Sequence, residues 1–341
     1  MCVHRTSSRH SGFTLVELIV VVAIIALLVA LLLPAFSVVQ GRAKMADAQS
    51  QFNGLRAGLE SYRGESALGG AFPPSSSDNA ADREEIANPL AAGPTPAVRV
   101  TGAHLLVHAL LGADLLGTPG FKDLDRNGAW SNDTHMGTAG AGGTYALTPE
   151  GEPKQARYGG AGYVSDKMRE RVTTLKELQD RGEITSNVGR LTASLDQRLF
   201  VDPWNRPILY YRANPAARLM INGDAAPGIY RQEDNGLITG SEGGALTSDG
   251  IDFGASVHDH STQVHSIHGA KAPPAIPPAS RTVAQVLAEE DYEHSLAQFI
   301  VDRKVTARIE PVNKDSFLLI SAGADAQYGT SDDVTNWTRD E

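Results

Sequence analysis

Cysteine is almost absent from this chain: Cys2 is its only one, so no disulfide can form within it. Any staple that holds an exported domain together has to be something else, and a bound metal is one such device. Aromatic residues are scarce at 6%, while glycine (34) and proline (18) are plentiful, which predicts a small core under long surface loops. Positive charge is also in deficit, with 30 Lys and Arg against 40 Asp and Glu and a formal charge of −10. Phosphate binding needs clustered Lys and Arg, so this balance argues against nucleic acid as the main partner. The sequence has no P-loop, dinucleotide fingerprint or nucleophile elbow, and no spacing of Ser, His and Asp singles out a triad. The expectation is a chain that is not an enzyme.

What the chain does have begins at its N-terminus. Residues 1–12 (MCVHRTSSRHSG) carry Arg5, Arg9, His4 and His10 and no acid. Residues 13–33 (FTLVELIVVVAIIALLVALLL) follow, interrupted only by Thr14 and Glu17. Twenty-one residues at ~1.5 Å each make a helix of roughly 31 Å, enough for the hydrocarbon core of a bilayer. The basic flank predicts a cytoplasmic N-terminus and an exported remainder. In a secretory signal the small cleavage residue follows the apolar region. Here Gly12 precedes it, so a cut at that glycine leaves the whole apolar helix on the mature protein.

The run Gly12-Phe13-Thr14-Leu15-Val16-Glu17 resembles the cleavage and methylation motif of type IV pilins and type II secretion pseudopilins. The resemblance implies cleavage between Gly12 and Phe13 by a prepilin peptidase, N-methylation of Phe13, and an assembly role for Glu17 as the fifth mature residue. A carboxylate in an apolar span is costly and needs a partner, and the N-terminal amine of a neighbouring subunit would supply one. Pro34 stands where pilin helices commonly carry a proline, which would kink or loosen the helix there.

The fold class expected is α+β: a long N-terminal helix on a small antiparallel β-sheet, pilin-like, with a large loop-rich helical insertion. The expected organisation is a leader over 1–12, a transmembrane helix over 13–34, and its amphipathic continuation over 35–63. A loop-rich insertion over 64–199 and a β-sheet head over 200–341 complete it. Phe52, Leu55, Leu59 and Tyr62 recur at spacings of three and four and form one apolar stripe for the core. Helices are expected over 102–117, 166–182 and 282–300, and strands over 208–211 and 317–320. The segment Asp202-Pro203-Trp204-Asn205-Arg206-Pro207 resembles the D-P-W-G-x-P stretch of the major type II pseudopilin, with Asn205 where that family has glycine. Both residues suit a turn with positive φ.

The C-terminal stretch Ser321-Ala322-Gly323-Ala324-Asp325 through Asp332-Asp333-Val334-Thr335-Asn336-Trp337 resembles the calcium loop that closes the head of that same family. Calcium takes six to eight hard oxygen ligands from carboxylates, carbonyls and hydroxyls. Asp325 and Asp333 match family aspartates, and either Ser331 or Asp332 would add a further ligand, so Ca2+ is the cofactor expected. A weaker candidate is Asp123, Asp125 and Asn127, which open an EF-hand-like D-x-D-x-N-G, but the twelfth position is Thr134 rather than Glu. His258, His260, His265 and His268 read as a solvated loop, and His104 and His108 as packing or surface residues.

The resemblance implies a pseudopilin subunit of a type II secretion filament, single-pass in the bacterial inner membrane with its head in the periplasm. Its partners would be prepilin peptidase, other pseudopilin subunits, a cytoplasmic ATPase and the inner-membrane secretion platform. The alternatives are a type IV pilus subunit for adhesion, motility or DNA uptake, and a membrane-tethered binding or enzymatic domain. The length leaves major and minor or tip subunits both open.

Overall fold

A computed structural model of the chain describes residues 15–75, 85–87, 97–99, 101–120, 148–153, 156–184, 197–214, 217, 219–221, 228–239, 251 and 296–338. The chain divides into two units, Met1–Lys44 and Met45–Glu341. One helix, α1 (Leu15–Gly64), contributes to both. It runs on through Pro34, Gly41, Gly54 and Gly58, which disfavour a helix interior, with Glu17 in its first turn and Arg63 in its last, where a cation complements the helix dipole.

In the first unit the apolar side chains of α1 are exposed, among them Leu15, Val16, Leu18, Ile25, Leu27 and Phe36. Among the described residues, no helix is long and apolar enough to cross a membrane. The span expected over 13–34 starts before the described residues, and the side chains of Leu31, Leu33 and Pro34 also lie outside them.

The second unit is organised by a three-stranded sheet in the order β5–β8–β9, formed by Leu209–Arg212, Phe317–Ser321 and Val334–Thr335. Its pairs are antiparallel, with Tyr210 opposite Leu319, Arg212 opposite Phe317 and Ser321 opposite Val334. Side chains alternate between the faces of a strand, so each strand serves two cores. Tyr210, Phe317, Leu319 and Val334 join Phe52, Leu55, Leu59 and Tyr62 of α1, the expected stripe, together with Phe200 and Ile208. Leu209, Tyr211, Leu318 and Ile320 face a second core with Tyr230, Leu237, Ile238, Leu296 and Ile300. All five residues of β8 are buried, as a strand covered on both faces requires. Both expected strands are present, each ending one residue further on.

Three further pairs of short strands surround this sheet. Strands β1 (Glu85–Ala87) and β2 (Ala97–Arg99) are antiparallel, as are β3 (Val172–Thr174) and β4 (Arg198–Phe200). Strands β6 (Leu219–Ile221) and β7 (Gly228–Tyr230) run parallel, a departure from the purely antiparallel expectation.

Residues inside the expected insertion supply core. Helix α2 (Gly102–Leu110) is buried throughout and packs on β4 and β5. It ends before the expected residue 117 because Gly112 turns at φ 77°, and a Cβ there would lie 2.0 Å from the carbonyl oxygen of Gly117. The charged helix expected over 166–182 is broken into α3 (Asp166–Arg169), β3 and α4 (Leu175–Asp180). The β-branched run Val172-Thr173-Thr174 pairs with β4, and Thr174 then caps α4. Its hydroxyl accepts from Glu177 N at 3.1 Å, while Thr174 N donates to the Glu177 carboxylate at 3.2 Å. Of the helix expected over 282–300, the described part is Leu296–Phe299.

His104 and His108 are buried, at 0% and 4% exposure. Nδ1 of His104 accepts the Thr101 amide at 3.0 Å, which puts the ring proton on Nε2, where it has no hydrogen-bond partner. Burial first, then the neighbouring His108, holds His104 down at about 3. His108 lies at about 4, lowered by burial, raised by Gln197 and lowered by Arg198. Both are neutral in the fold at pH 7, whereas an unfolded histidine takes up a proton near its ordinary pKa of about 6.5. Stability should therefore fall as pH drops from about 6.5 towards 4. His104→Asn/His108→Leu keeps the acceptor for Thr101 and should flatten that slope in urea-unfolding midpoints measured across the range. An unchanged slope would contradict the assignment.

Candidate functional site

Two regions carry the residues singled out by the sequence. The first is the start of α1. Glu17 lies in its first turn, surrounded along the chain by exposed apolar side chains. Gly12 and Phe13 lie outside the described residues, as do Asp123, Asp125, Asn127 and the histidines of 258–268.

The second is the acidic loop between β8 and β9. Gly323 enters it at φ 64°, and a Cβ there would stand 2.6 Å from the carboxylate and carbonyl oxygens of Asp332. Only glycine lets Asp332 fold back over this corner. Asp332 Oδ2 then accepts the amides of Ala324 at 2.7 Å and Asp325 at 3.1 Å. Asp333, buried, accepts the Gly329 amide at 2.7 Å, and Gly329 itself turns at φ 97°. Asp325 accepts the Gln327 amide at 2.8 Å.

Thr330 stands between these groups and was not singled out by the sequence. Its hydroxyl donates to Asp332 Oδ1 at 2.6 Å and lies 3.3 Å from both Asp333 Oδ1 and the Gln327 carbonyl. Burial first, and then the charge of Asp332, raises the Asp325 carboxyl above its ordinary range, while the Gln327 amide and the Thr330 hydroxyl pull it down. Of the two alternatives for the further ligand, Asp332 is turned into the loop and Ser331 is exposed.

The donor set is therefore all oxygen, which suits a hard cation such as Ca2+, and a cation would favour the charged form of Asp325, which burial first and Asp332 second disfavour. Among the described residues no three or more His, Cys, Asp or Glu side chains are grouped so as to hold a metal ion. Any cation here would need the hydroxyl and backbone carbonyls as well as the carboxylates.

The segment 202–207 adjoins this loop. Asp202 is wholly buried, and its Oδ1 accepts the amides of Trp204 at 2.8 Å and Arg206 at 2.9 Å. A side chain that mimics the backbone in this way, with a proline next in line, sets a tight turn. Asn205 takes the positive φ expected of it, at 63°. Asn336 closes the other side of the motif: its side chain accepts from Leu319 N at 2.9 Å and donates to the Phe317 carbonyl at 3.0 Å, extending the ladder beyond β9.

The profile of the prokaryotic N-terminal methylation motif matches residues 7–33. Over this segment the chain is similar to prepilin-type proteins. A curated relative, the type IV major pilin protein PilA of Myxococcus xanthus (strain DK1622), is 40% identical over 62 residues. That alignment covers 18% of this chain and 28% of the relative's length. No solved structure matches. The α+β architecture, with a long N-terminal helix and small sheets, fits a pilin-like plan.

The loop geometry makes a sharp distinction between two adjacent positions, Ser331 and Asp332. Asp332→Ala strips two backbone amides, one exposed and one partly buried, of their acceptor and should cost about 0.5–1.5 kcal/mol. Ser331→Ala, on an exposed side chain, should stay within about 0.5 kcal/mol of the parent. Thermal unfolding of both variants checks this, and a larger loss at Ser331 would reverse the assignment.

Proposed function

We propose that this protein is a structural pseudopilin subunit that assembles through α1 into a periplasmic filament of a type II protein secretion system. The observation that carries the reading is the methylation motif leading into a helix whose first unit exposes large apolar side chains. Exposed apolar surface on that scale needs lipid or neighbouring subunits to cover it. The span over 13–34 anchors the chain in the inner membrane, with the head in the periplasm. Prepilin peptidase cuts between Gly12 and Phe13 and methylates Phe13. Glu17 then receives the N-terminal amine of the adjacent subunit, since a carboxylate in an apolar layer needs an opposite charge. Other pseudopilin subunits and the inner-membrane secretion platform are the remaining partners.

The acidic loop favours secretion over a pilus, because it resembles the calcium loop of the major pseudopilin and the chain lacks a C-terminal cysteine pair. Asp325, Asp332 and Asp333, with the Thr330 hydroxyl, would hold Ca2+. The cation would neutralise their mutual repulsion and fix the loop in a chain without disulfides. A second reading, a type IV pilus subunit, is favoured by the relative in Myxococcus xanthus, whose name is that of a major pilin.

Two measurements test this. Glu17→Ala should leave cleavage after Gly12 intact and abolish filaments in cells; normal filaments from that variant would remove Glu17 from assembly. Calcium at a hundredfold excess over Kd adds about 2.7 kcal/mol of stability. At roughly 2–4 °C per kcal/mol, it should raise the melting temperature of the detergent-solubilised chain by about 5 °C or more, and EDTA should reverse the shift. No shift in either direction would end the calcium reading.

A further inference from the structure

The acidic loop is held by more than its own strands. At its entry, the buried Ser321 hydroxyl donates to Asp202 Oδ2 at 2.5 Å and accepts the Gly323 amide at 3.3 Å. Half-way round, the buried Tyr328 hydroxyl donates to the Pro207 carbonyl at 2.5 Å. Both fastenings land on the turn 202–207. That turn is shaped by the same Asp202 carboxylate, whose other oxygen takes the amides of Trp204 and Arg206.

The root of the turn is fastened in turn to α1. Gln51 of α1 donates through its side-chain amide to the Val201 carbonyl at 2.8 Å, a buried contact. Arg171 donates to the Asp202 carbonyl at 3.3 Å and pairs with Asp47 of α1 at 2.6 Å. Lys167 also pairs with Asp47. A continuous chain of polar contacts thus runs from the acidic loop through Ser321, Asp202 and Arg171 to Asp47. Ser321 and Asp202 are buried, so breaking their link leaves a buried group unsatisfied, while Arg171 and Asp47, each about a quarter exposed, carry the connection on to α1.

We propose that Asp202 is a positioning residue that couples the order of the acidic loop to the seating of residues 47–55 of α1 on the head. The coupling rests on these contacts alone and not on the cation reading. It gives the loop at the far end of the sequence a means of acting on the helix through which subunits assemble.

Amide hydrogen exchange on the full chain in detergent tests it. Ser321→Ala removes the loop's hydroxyl while leaving Asp202 its turn amides. Exchange should rise about fivefold or more in residues 322–333, as expected for one lost hydrogen bond. It should also rise at Trp204, at Arg206 and in residues 47–55. Ser321→Thr, which keeps the hydroxyl, should restore protection in all three places. Faster exchange confined to 322–333 would overturn the proposal, as would failure of threonine to rescue the remote sites while rescuing the loop. If Ser321→Ala does not fold, Tyr328→Phe, which keeps the ring and loses only the hydroxyl bonded to Pro207, should raise exchange in the loop, at Trp204 and Arg206 and in residues 47–55, and a rise confined to the loop would overturn the proposal. Adding CaCl2 or EDTA to the parent chain separates the two ideas. Protection that responds to the cation in the loop alone contradicts the coupling and leaves the calcium reading standing. No response anywhere counts against calcium and leaves the substitutions to decide the coupling.

Discussion

The packing of one helix face onto one sheet face sets the terms for everything else in the head. Phe52, Leu55, Leu59 and Tyr62 of α1 are buried against Tyr210, Phe317, Leu319 and Val334. Each large apolar side chain removed from water contributes roughly 1.5–3 kcal/mol. Gly58 lets a different neighbour, the segment at Tyr163, come close to α1: a Cβ there would stand 2.8 Å from the Tyr163 carbonyl. The opposite faces of the same strands have to be buried as well, and residues from 175 to 238 and from 296 to 301 supply that second core. A small sheet with few aromatics is thereby covered on both sides. The polar network around Asp202 lies at its end, where Ser321 finishes β8 and the acidic loop begins.

Much of this was legible because its signals are local and periodic. The stripe at spacings of three and four, the apolar run Phe317-Leu318-Leu319-Ile320 and the positive φ of Asn205 each depend on a few neighbouring residues. The helix over 166–182 misled because its charges satisfy a helical pattern while Val172-Thr173-Thr174 pairs with β4, a strand more than twenty residues away. Tertiary pairing outweighed local propensity there. The second core was not legible because its residues are spread over segments whose spacing carries no period. In the acidic loop the carboxylates were visible from the sequence, but that Asp332 and not Ser331 folds back over the corner depended on how Gly323 turns the chain. Thr330 drew no notice because a threonine among glycine and serine looks like ordinary loop. Asp202 was visible as part of a motif, yet its link to Ser321 spans 119 positions and exists only in the fold.

The same helix meets two opposite demands. From Met45 onward, α1 buries an amphipathic stripe in the head, and before it the apolar side chains stand exposed. Gly12 stands ahead of the apolar run in the sequence, so a cut at that glycine would leave the run on the mature chain. The methylation motif is matched over 7–33 and the buried stripe lies over 52–62; in the proposed filament the first region would join the assembly and the second would carry the head.

The most direct test is the mass of the N-terminal peptide of the protein isolated from its native membrane. The account predicts a chain that starts at Phe13, with the added mass of one methyl group on its amine. A chain that retains residues 1–12, or one cut downstream of the apolar run, would contradict it.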